Sequence, residues 1–256
     1  MSKIYNYLFV YSAFTMFSRY LIPFVKNIGR IGRPIHTVSS ISPGGQNQRR
    51  YVRYLQNRQL PLLICEGPPK TGKTWFACAM AVQELRSGHI KRIVITHPTT
   101  EPTHSRLIFD IFEDFYSGFD IHTMIEYGTI EISPLSHLTG RTLNNSLIIS
   151  NDMQKSSPEQ MYDLTTHLGH NSRMVITGNV KQIGVAPNNG LSDLILRVEK
   201  DHQSHRDVRI IKMDTGDIHS NQILSKIGDL YYTKPSKPLQ NEHSPFSVFS
   251  KKRFRD

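Results

Sequence analysis

The residues best suited to chemistry lie at positions 67–74, Gly-Pro-Pro-Lys-Thr-Gly-Lys-Thr. They fit the pattern G-x-x-x-x-G-K-[ST], in which backbone N–H groups of a loop surround phosphate oxygens. In this pattern Lys73 neutralises the β- and γ-phosphates, and the Thr74 hydroxyl binds Mg²⁺. We therefore expect a nucleoside triphosphate with Mg²⁺ to bind here, with contacts from Gly67, Pro68, Pro69, Lys70, Thr71, Gly72, Lys73 and Thr74.

The surrounding sequence contains the elements that must position this loop. An apolar run at 62–65 predicts a strand before it, and the run at 75–82 predicts a helix after it. Further strands are predicted at 92–96, 129–132, 146–150, 173–177 and 208–213, and helices at 46–58, 105–119, 157–168, 190–198 and 220–230. This alternation predicts an α/β fold of the P-loop NTPase class, with a mostly parallel sheet covered by helices on both faces.

Candidate acids follow the predicted strand at 146–150. A P-loop ATPase uses a carboxylate at the end of a neighbouring strand for the Mg²⁺ shell, and a second group to position the attacking water. This strand is followed by Asn151 and then by Asp152. An amide accepts a hydrogen bond but supplies no negative charge. Either Asp152 alone serves as metal ligand and catalytic acid, or the metal site is weak.

The formal net charge of +10 is concentrated at the two ends of the 256-residue chain. Residues 1–65 hold nine Lys and Arg and no acidic residue, and residues 234–256 hold six basic and two acidic residues. The body between them is slightly acidic. We predict a basic, apolar and aromatic N-terminal extension at 1–42, an NTPase domain at 43–232 and a basic disordered tail at 233–256.

Three interpretations of residues 1–42 stay open: a mitochondrial transit peptide, a segment that contacts a membrane, and an ordinary basic N-terminus. The compartment accordingly stays open between mitochondrial, as a transit peptide would imply, and cytoplasmic. The tail residues Phe246, Phe249 and Phe254 lie among basic residues, which is compatible with RNA binding or with a solvated tail. Cys65 and Cys78 fall in predicted core elements, so we expect reduced buried thiols.

The chain resembles the PhoH family of P-loop ATPases, relatives of the superfamily-one helicases, over residues 43–230. The Q-x-x-Y-like element at Gln48, the P-loop and a strand ending at His97 follow in the family's order. The most specific block is Gly-Arg-Thr-Leu-Asn-Asn at 140–145, which is rarely met elsewhere. Similar residues also occur at Gln154 and Gln182.

This resemblance implies ATP hydrolysis coupled to RNA or ribosome-related work, often in a ring of identical subunits. It implies that Gln48 reads adenine and that Asp152 holds the metal or activates water. It further implies that Gln154 senses the γ-phosphate, and that Arg141 stabilises charge or contacts a neighbouring subunit.

The chain departs from the family where charge would matter most. The family's Asp-Glu pair is Asn151-Asp152, and neutral or weaker residues replace family charges at His97, Thr139, His167, Asn179 and Ser220. Two alternatives to an ATPase therefore stay open. One is a nucleotide-binding module with weak or no hydrolysis that acts through a partner. The other is an RNA-binding protein that uses its basic tails.

Overall fold

The computed structural model describes residues 42–99, 103–182, 184–201, 206–219 and 222–232. The strands are β1 Leu62–Glu66, β2 Arg92–His97, β3 Ile130–Pro134, β4 Ser146–Ser150, β5 Arg173–Gly178 and β6 Val208–Lys212. The helices are α1 Gln46–Gln56, α2 Lys73–Arg86, α3 Thr103–Glu113, α4 Gly118–Glu126, α5 Pro158–Thr166, α6 Gly190–Lys200 and α7 Gln222–Tyr232. The predicted extension at 1–42 (except Ser42) and the tail at 233–256 lie outside the described residues.

The strands form one six-stranded sheet in the order β3-β2-β4-β5-β1-β6, and each neighbouring pair is parallel. Parallel strands bring all their carboxyl ends to the same edge, where α/β proteins bind ligands. β5 lies between β1 and β4, so the P-loop and the residues after β4 face each other across the end of β5. This order positions the candidate site.

The sheet is buried on both faces, which confirms the predicted architecture. Side chains alternate between faces along each strand. Cys65 packs in a core with residues of α1 to α4, whereas Ile64 packs in a second core with residues of α5 and α6. Among the described residues, no helix has the length and apolar character needed to cross a membrane.

The helix predicted at 105–119 is correct as far as Glu113, but the predicted C-terminal end is wrong, because the helix stops there and a second helix begins at Gly118. α3 ends at Glu113, and Ser117 starts α4 by accepting a hydrogen bond from the backbone N–H of Asp120 at 3.2 Å. The indole of Trp75 donates to Asp114 at 2.7 Å, immediately after the end of α3. The apolar period continues through the break, which is why periodicity alone did not reveal it.

Two further expectations are confirmed. Ser157 is the N-cap of α5 and accepts from the N–H of Gln160, as its position before Pro158 predicted. Both cysteines are buried free thiols, and burial raises the pKa of Cys78 to about 12 and that of Cys65 further.

A buried ion pair ties the P-loop helix to the middle of the sheet. Arg173, at the start of β5, donates to Glu84 of α2 at 2.9 Å and to the carbonyl of Leu55 at 2.7 Å. Burial raises the pKa of Glu84 and lowers that of Arg173, while each partner's charge opposes the shift. The pair fixes α1, α2 and β5 relative to one another.

Candidate nucleotide-binding site

The P-loop has backbone conformations that favour glycine at two positions. Gly67 has φ 145° and Gly72 has φ 86°. A Cβ on Gly67 would lie 2.6 Å from the carbonyl oxygen of Met213, and a Cβ on Gly72 would lie 2.7 Å from the Phe76 ring. These two glycines let the chain turn sharply from β1 into α2.

Lys73 is folded into the loop that it follows. Its ammonium group donates to the carbonyls of Gly67 at 2.8 Å and Pro68 at 2.5 Å, and to the Thr71 hydroxyl at 3.2 Å. Burial lowers the pKa of Lys73, and the charge of Asp152 is among those that oppose this shift. A cation is thus held at the centre of the loop.

The N-terminus of α2 fits a phosphate group. Gly72 occupies the N-cap, where no side chain caps the helix, and the first turn holds no acidic residue. The free N–H groups and the positive end of the helix dipole therefore have no anionic partner from these positions. This is the arrangement in which helix N-termini bind phosphate.

Gln48 connects α1 to the P-loop through backbone contacts. Its Nε2 donates to the carbonyls of Thr71 at 3.1 Å and Asp217 at 2.8 Å. Its Oε1 accepts from the N–H groups of Gly44 at 2.8 Å and Gly45 at 3.3 Å. These four bonds use the full capacity of the amide. Gln48 lies beside the loop, but adenine reading would require it to exchange some of these bonds.

Thr74 meets Asn151 at the position expected for the metal. The Thr74 hydroxyl donates to Asn151 Oδ1 at 2.7 Å, and the Thr177 hydroxyl donates to the same oxygen at 2.8 Å. This cluster carries no formal charge. We assigned no role to Thr177 from the sequence, although its position at the end of a strand next to β4 was a usable signal. In the described part of the chain, no three His, Cys, Asp or Glu residues form a metal-binding group.

Asp152 and Gln154 lie on the same edge of the sheet. Asp152 has a left-handed backbone, φ 55°, which Asp tolerates better than most residues, and it precedes a short 3₁₀ turn. Gln154 is buried, accepts from the N–H of Asn179 at 3.1 Å and donates to Gln182 at 2.6 Å. The catalytic roles of Asp152 and Gln154 stay predictions.

Arg141 lies elsewhere in the fold. Its guanidinium makes two hydrogen bonds, of 2.5 and 2.8 Å, to the carboxylate of Glu131 on β3. The hydrogen bond from Arg141 lowers the pKa of Glu131. β3 lies four strands from β1, about 19 Å at the usual strand spacing. Within one copy of the chain, Arg141 is therefore not grouped with the P-loop residues.

Fold and site together define an α/β domain of the P-loop NTPase class. The chain belongs to the PhoH family, because the family model described as "PhoH-like protein" matches residues 40–107 and 101–232.

Relatives of known sequence support this assignment. The chain is 33% identical to a PhoH-like protein of Bacillus subtilis (strain 168) over 208 residues, which cover 75% of this chain and 64% of the relative. It is 31% identical to a PhoH-like protein of Mycobacterium tuberculosis (strain ATCC 25618 / H37Rv) over 218 residues, covering 78% and 61%. It is 27% identical to Protein PhoH of Escherichia coli (strain K12) over 197 residues, covering 69% and 55%. The chain thus spans less than two thirds of the length of each of these relatives.

Solved structures overlap with the fold only in part. The UvsW helicase from bacteriophage T4 aligns with a TM-score of 0.45 and 13% identity, covering 68% of this chain and 61% of that one. The Hef helicase domain of Pyrococcus furiosus aligns with a TM-score of 0.43 and 12% identity, covering 66% and 38%.

Proposed function

We propose that this chain binds ATP in its P-loop and hydrolyses it slowly. The uncapped N-terminus of α2 and the ammonium of Lys73 provide complementary positive charge for the phosphates. On binding, Lys73 exchanges its contacts with Gly67 and Pro68 for phosphate oxygens. Family membership favours a nucleotide ligand, and ATP is the nucleotide that the family resemblance implies.

The observation that carries the proposal is the 2.7 Å hydrogen bond between Thr74 and Asn151. Thr74 would hold Mg²⁺, with Asp152 as the nearest carboxylate in sequence. When bound, the metal would neutralise phosphate charge and polarise the γ-phosphate. Asn151 supplies an oxygen without a charge, so the metal would be held more weakly than by a carboxylate. Weak metal binding favours slow turnover.

The remaining residues on this edge provide a minimal hydrolytic arrangement. The Asp152 carboxylate would position the attacking water and accept a proton from it. Gln154, fixed by Asn179 and Gln182, would contact the γ-phosphate through its amide. Lys73 would offset the charge that develops on the leaving phosphate oxygen.

Binding and hydrolysis of ATP by the purified chain test this proposal. Lys73→Ala should lose most of the ATP binding and most of the hydrolysis, because the substitution removes the central cation of the loop. Lys91→Ala is the matched control. Lys91 is an exposed lysine directly before the first residue of β2, at the edge of the sheet opposite the P-loop. Equal hydrolysis by the wild type and Lys73→Ala would overturn the assignment.

The neutral Thr74–Asn151–Thr177 cluster also favours a second candidate, a nucleotide-binding module that acts through a partner without turnover. ATP binding with no hydrolysis above the Lys73→Ala background would select it. Coupling to RNA and ring assembly are further proposals, taken from the family resemblance. Assays with and without single-stranded RNA, on the full chain and on a chain lacking 1–42 and 233–256, separate RNA stimulation of the body from RNA binding by the ends.

A further inference from the structure

A groove runs along the outer edge of β6. Its volume is about 420 Å³, and β6 forms its floor. Arg50 and Tyr54 of α1 form one wall, and Val198 and Glu199 of α6 form the other. The guanidinium of Arg209 lies 5.9 Å from the centre of the Tyr54 ring. Among the described residues, β6 pairs with β1 on one side and with no strand on this side.

The backbone of β6 presents hydrogen-bonding groups to this groove. Asp207 accepts a hydrogen bond from β1 at 3.2 Å, and the N–H of Met213 donates to β1 at 2.8 Å. Backbone groups alternate in direction along a strand, so the odd-numbered residues turn toward β1. The N–H and C=O groups of Val208, Ile210 and Lys212 therefore point into the groove.

Positive charge predominates around this edge. Arg50, Arg209 and Lys212 line the groove together with a single acidic residue, Glu199, which already forms a 2.7 Å ion pair with Lys212. Arg209 also donates to the outward carbonyl of Val208 at 3.2 Å. Two arginines are thus left to attract an anionic partner.

We propose that this groove binds an extended peptide segment with acidic side chains, which adds to the sheet as a strand beside β6. The outward groups repeat donor and acceptor with the period of a strand, and another peptide backbone matches that period. RNA phosphates would pair with the arginines but would leave the outward backbone donors and acceptors unmatched. The chain's own ends, 1–41 and 234–256, carry an excess of Lys and Arg, so the segment belongs to another protein. The proposal does not rest on nucleotide binding.

Binding of labelled peptides to the full chain, measured by fluorescence anisotropy, tests the proposal. The probe is a short peptide of alternating Val and Glu. Three controls are the same peptide with Lys for Glu, the same peptide N-methylated at every residue, and a single-stranded RNA oligonucleotide. We expect the Val–Glu peptide to bind about tenfold more tightly than either control peptide. Equal binding of the N-methylated peptide would exclude strand addition, and binding of RNA without binding of the Val–Glu peptide would overturn the proposal.

Substitutions in the groove provide a second arm. Arg209→Glu and Arg50→Glu should each weaken binding of the Val–Glu peptide about tenfold. Arg106→Glu is the control and should not weaken it, since Arg106 is an exposed arginine on α3. Ile210→Pro removes an outward N–H and leaves the bonds to β1 intact, as edge positions permit. It should weaken binding while circular dichroism stays unchanged. Unchanged peptide binding in all three groove variants would reject the acidic partner. So would a dimer of this chain that Ile210→Pro dissociates, because a second copy would then occupy the edge of β6.

Discussion

Thr74 lies in α2, after the loop that follows β1, and Asn151 directly follows β4; a 2.7 Å hydrogen bond joins them at the end of β5, which lies between β1 and β4. The hydroxyl of Thr177 supports the contact from β5 itself, at 2.8 Å from the same Asn151 oxygen. Three elements therefore fix a neutral group where a P-loop ATPase uses a carboxylate. The charge at this point of the site is therefore set by the Asn151 side chain.

Asn151→Asp should restore that charge at nearly constant volume. Both hydroxyls can donate to a carboxylate, so the fold should be retained. We expect Mg²⁺ to strengthen ATP binding more in the variant than in the wild type, and hydrolysis to rise about tenfold or more. ATP titrations with Mg²⁺ and with EDTA measure the first effect, and phosphate release measures the second. Asn151→Ser is the control that keeps a neutral side chain, and equal Mg²⁺ dependence in all three proteins would contradict the prediction.

Lys73 predicts a pH dependence of ATP binding. Burial lowers its pKa, so the ammonium charge is complete below this lowered pKa and is lost as the pH rises through it. Affinity for ATP should begin to fall at a pH below the ordinary lysine pKa of about 10.4. Lys73→Arg keeps its charge over this range and should show no such decline. Equilibrium dialysis across the alkaline range measures both proteins, and parallel curves would rule out Lys73 as the cause.

Gln48→Ala should destabilise the protein in the absence of any nucleotide. The substitution removes four hydrogen bonds and leaves backbone groups near the P-loop without partners. The expected loss is about 2–4 kcal/mol in the free energy of unfolding. Chemical denaturation measures it, with Gln46→Ala as the control, since Gln46 is an exposed glutamine at the start of the same helix. Equal stability of the two variants would mean that Gln48 does not fix the loop.

Arg141→Gln should leave the affinity for ATP unchanged, because Arg141 is bound to Glu131 far from the P-loop. Arg141 depresses the pKa of Glu131 in the folded state, so the pair stabilises the protein above the ordinary Glu pKa. That contribution disappears as the pH falls through the depressed pKa. Both side chains are partly exposed, and we expect a loss of only about 0.5 kcal/mol at neutral pH. Urea denaturation at neutral and acidic pH measures it, and a large fall in ATP affinity would place Arg141 in the site.

The buried pair Arg173–Glu84 predicts non-additive effects. Glu84→Leu alone leaves a buried guanidinium without its carboxylate and should cost about 3–5 kcal/mol. Combining it with Arg173→Met removes both charges and should cost less than Glu84→Leu alone. A double-mutant cycle in urea measures the coupling. Additive losses would show that the pair contributes no interaction energy.

The sequence predicted best those helices and strands whose ends are set by their own residues. β4 was predicted at 146–150 with both ends correct, because a buried parallel strand is a continuous apolar run. The break between α3 and α4 was missed, since Trp75 contacts Asp114 from a distant part of the chain. The distance of Arg141 from the P-loop was not predictable either, because it depends on the place of β3 in the strand order. The position of the P-loop was predictable from its residues, whereas the four hydrogen bonds between the Gln48 side chain and backbone groups were not.

Trp75 is the single tryptophan of the chain and directly follows Thr74. Its ring packs against Phe76 and Phe115, and its indole donates to Asp114. A change at the first turn of α2 would alter the surroundings of this one indole. The protein thus contains an intrinsic fluorescent reporter beside its P-loop, and emission from Trp75 can follow occupation of the loop without any attached label.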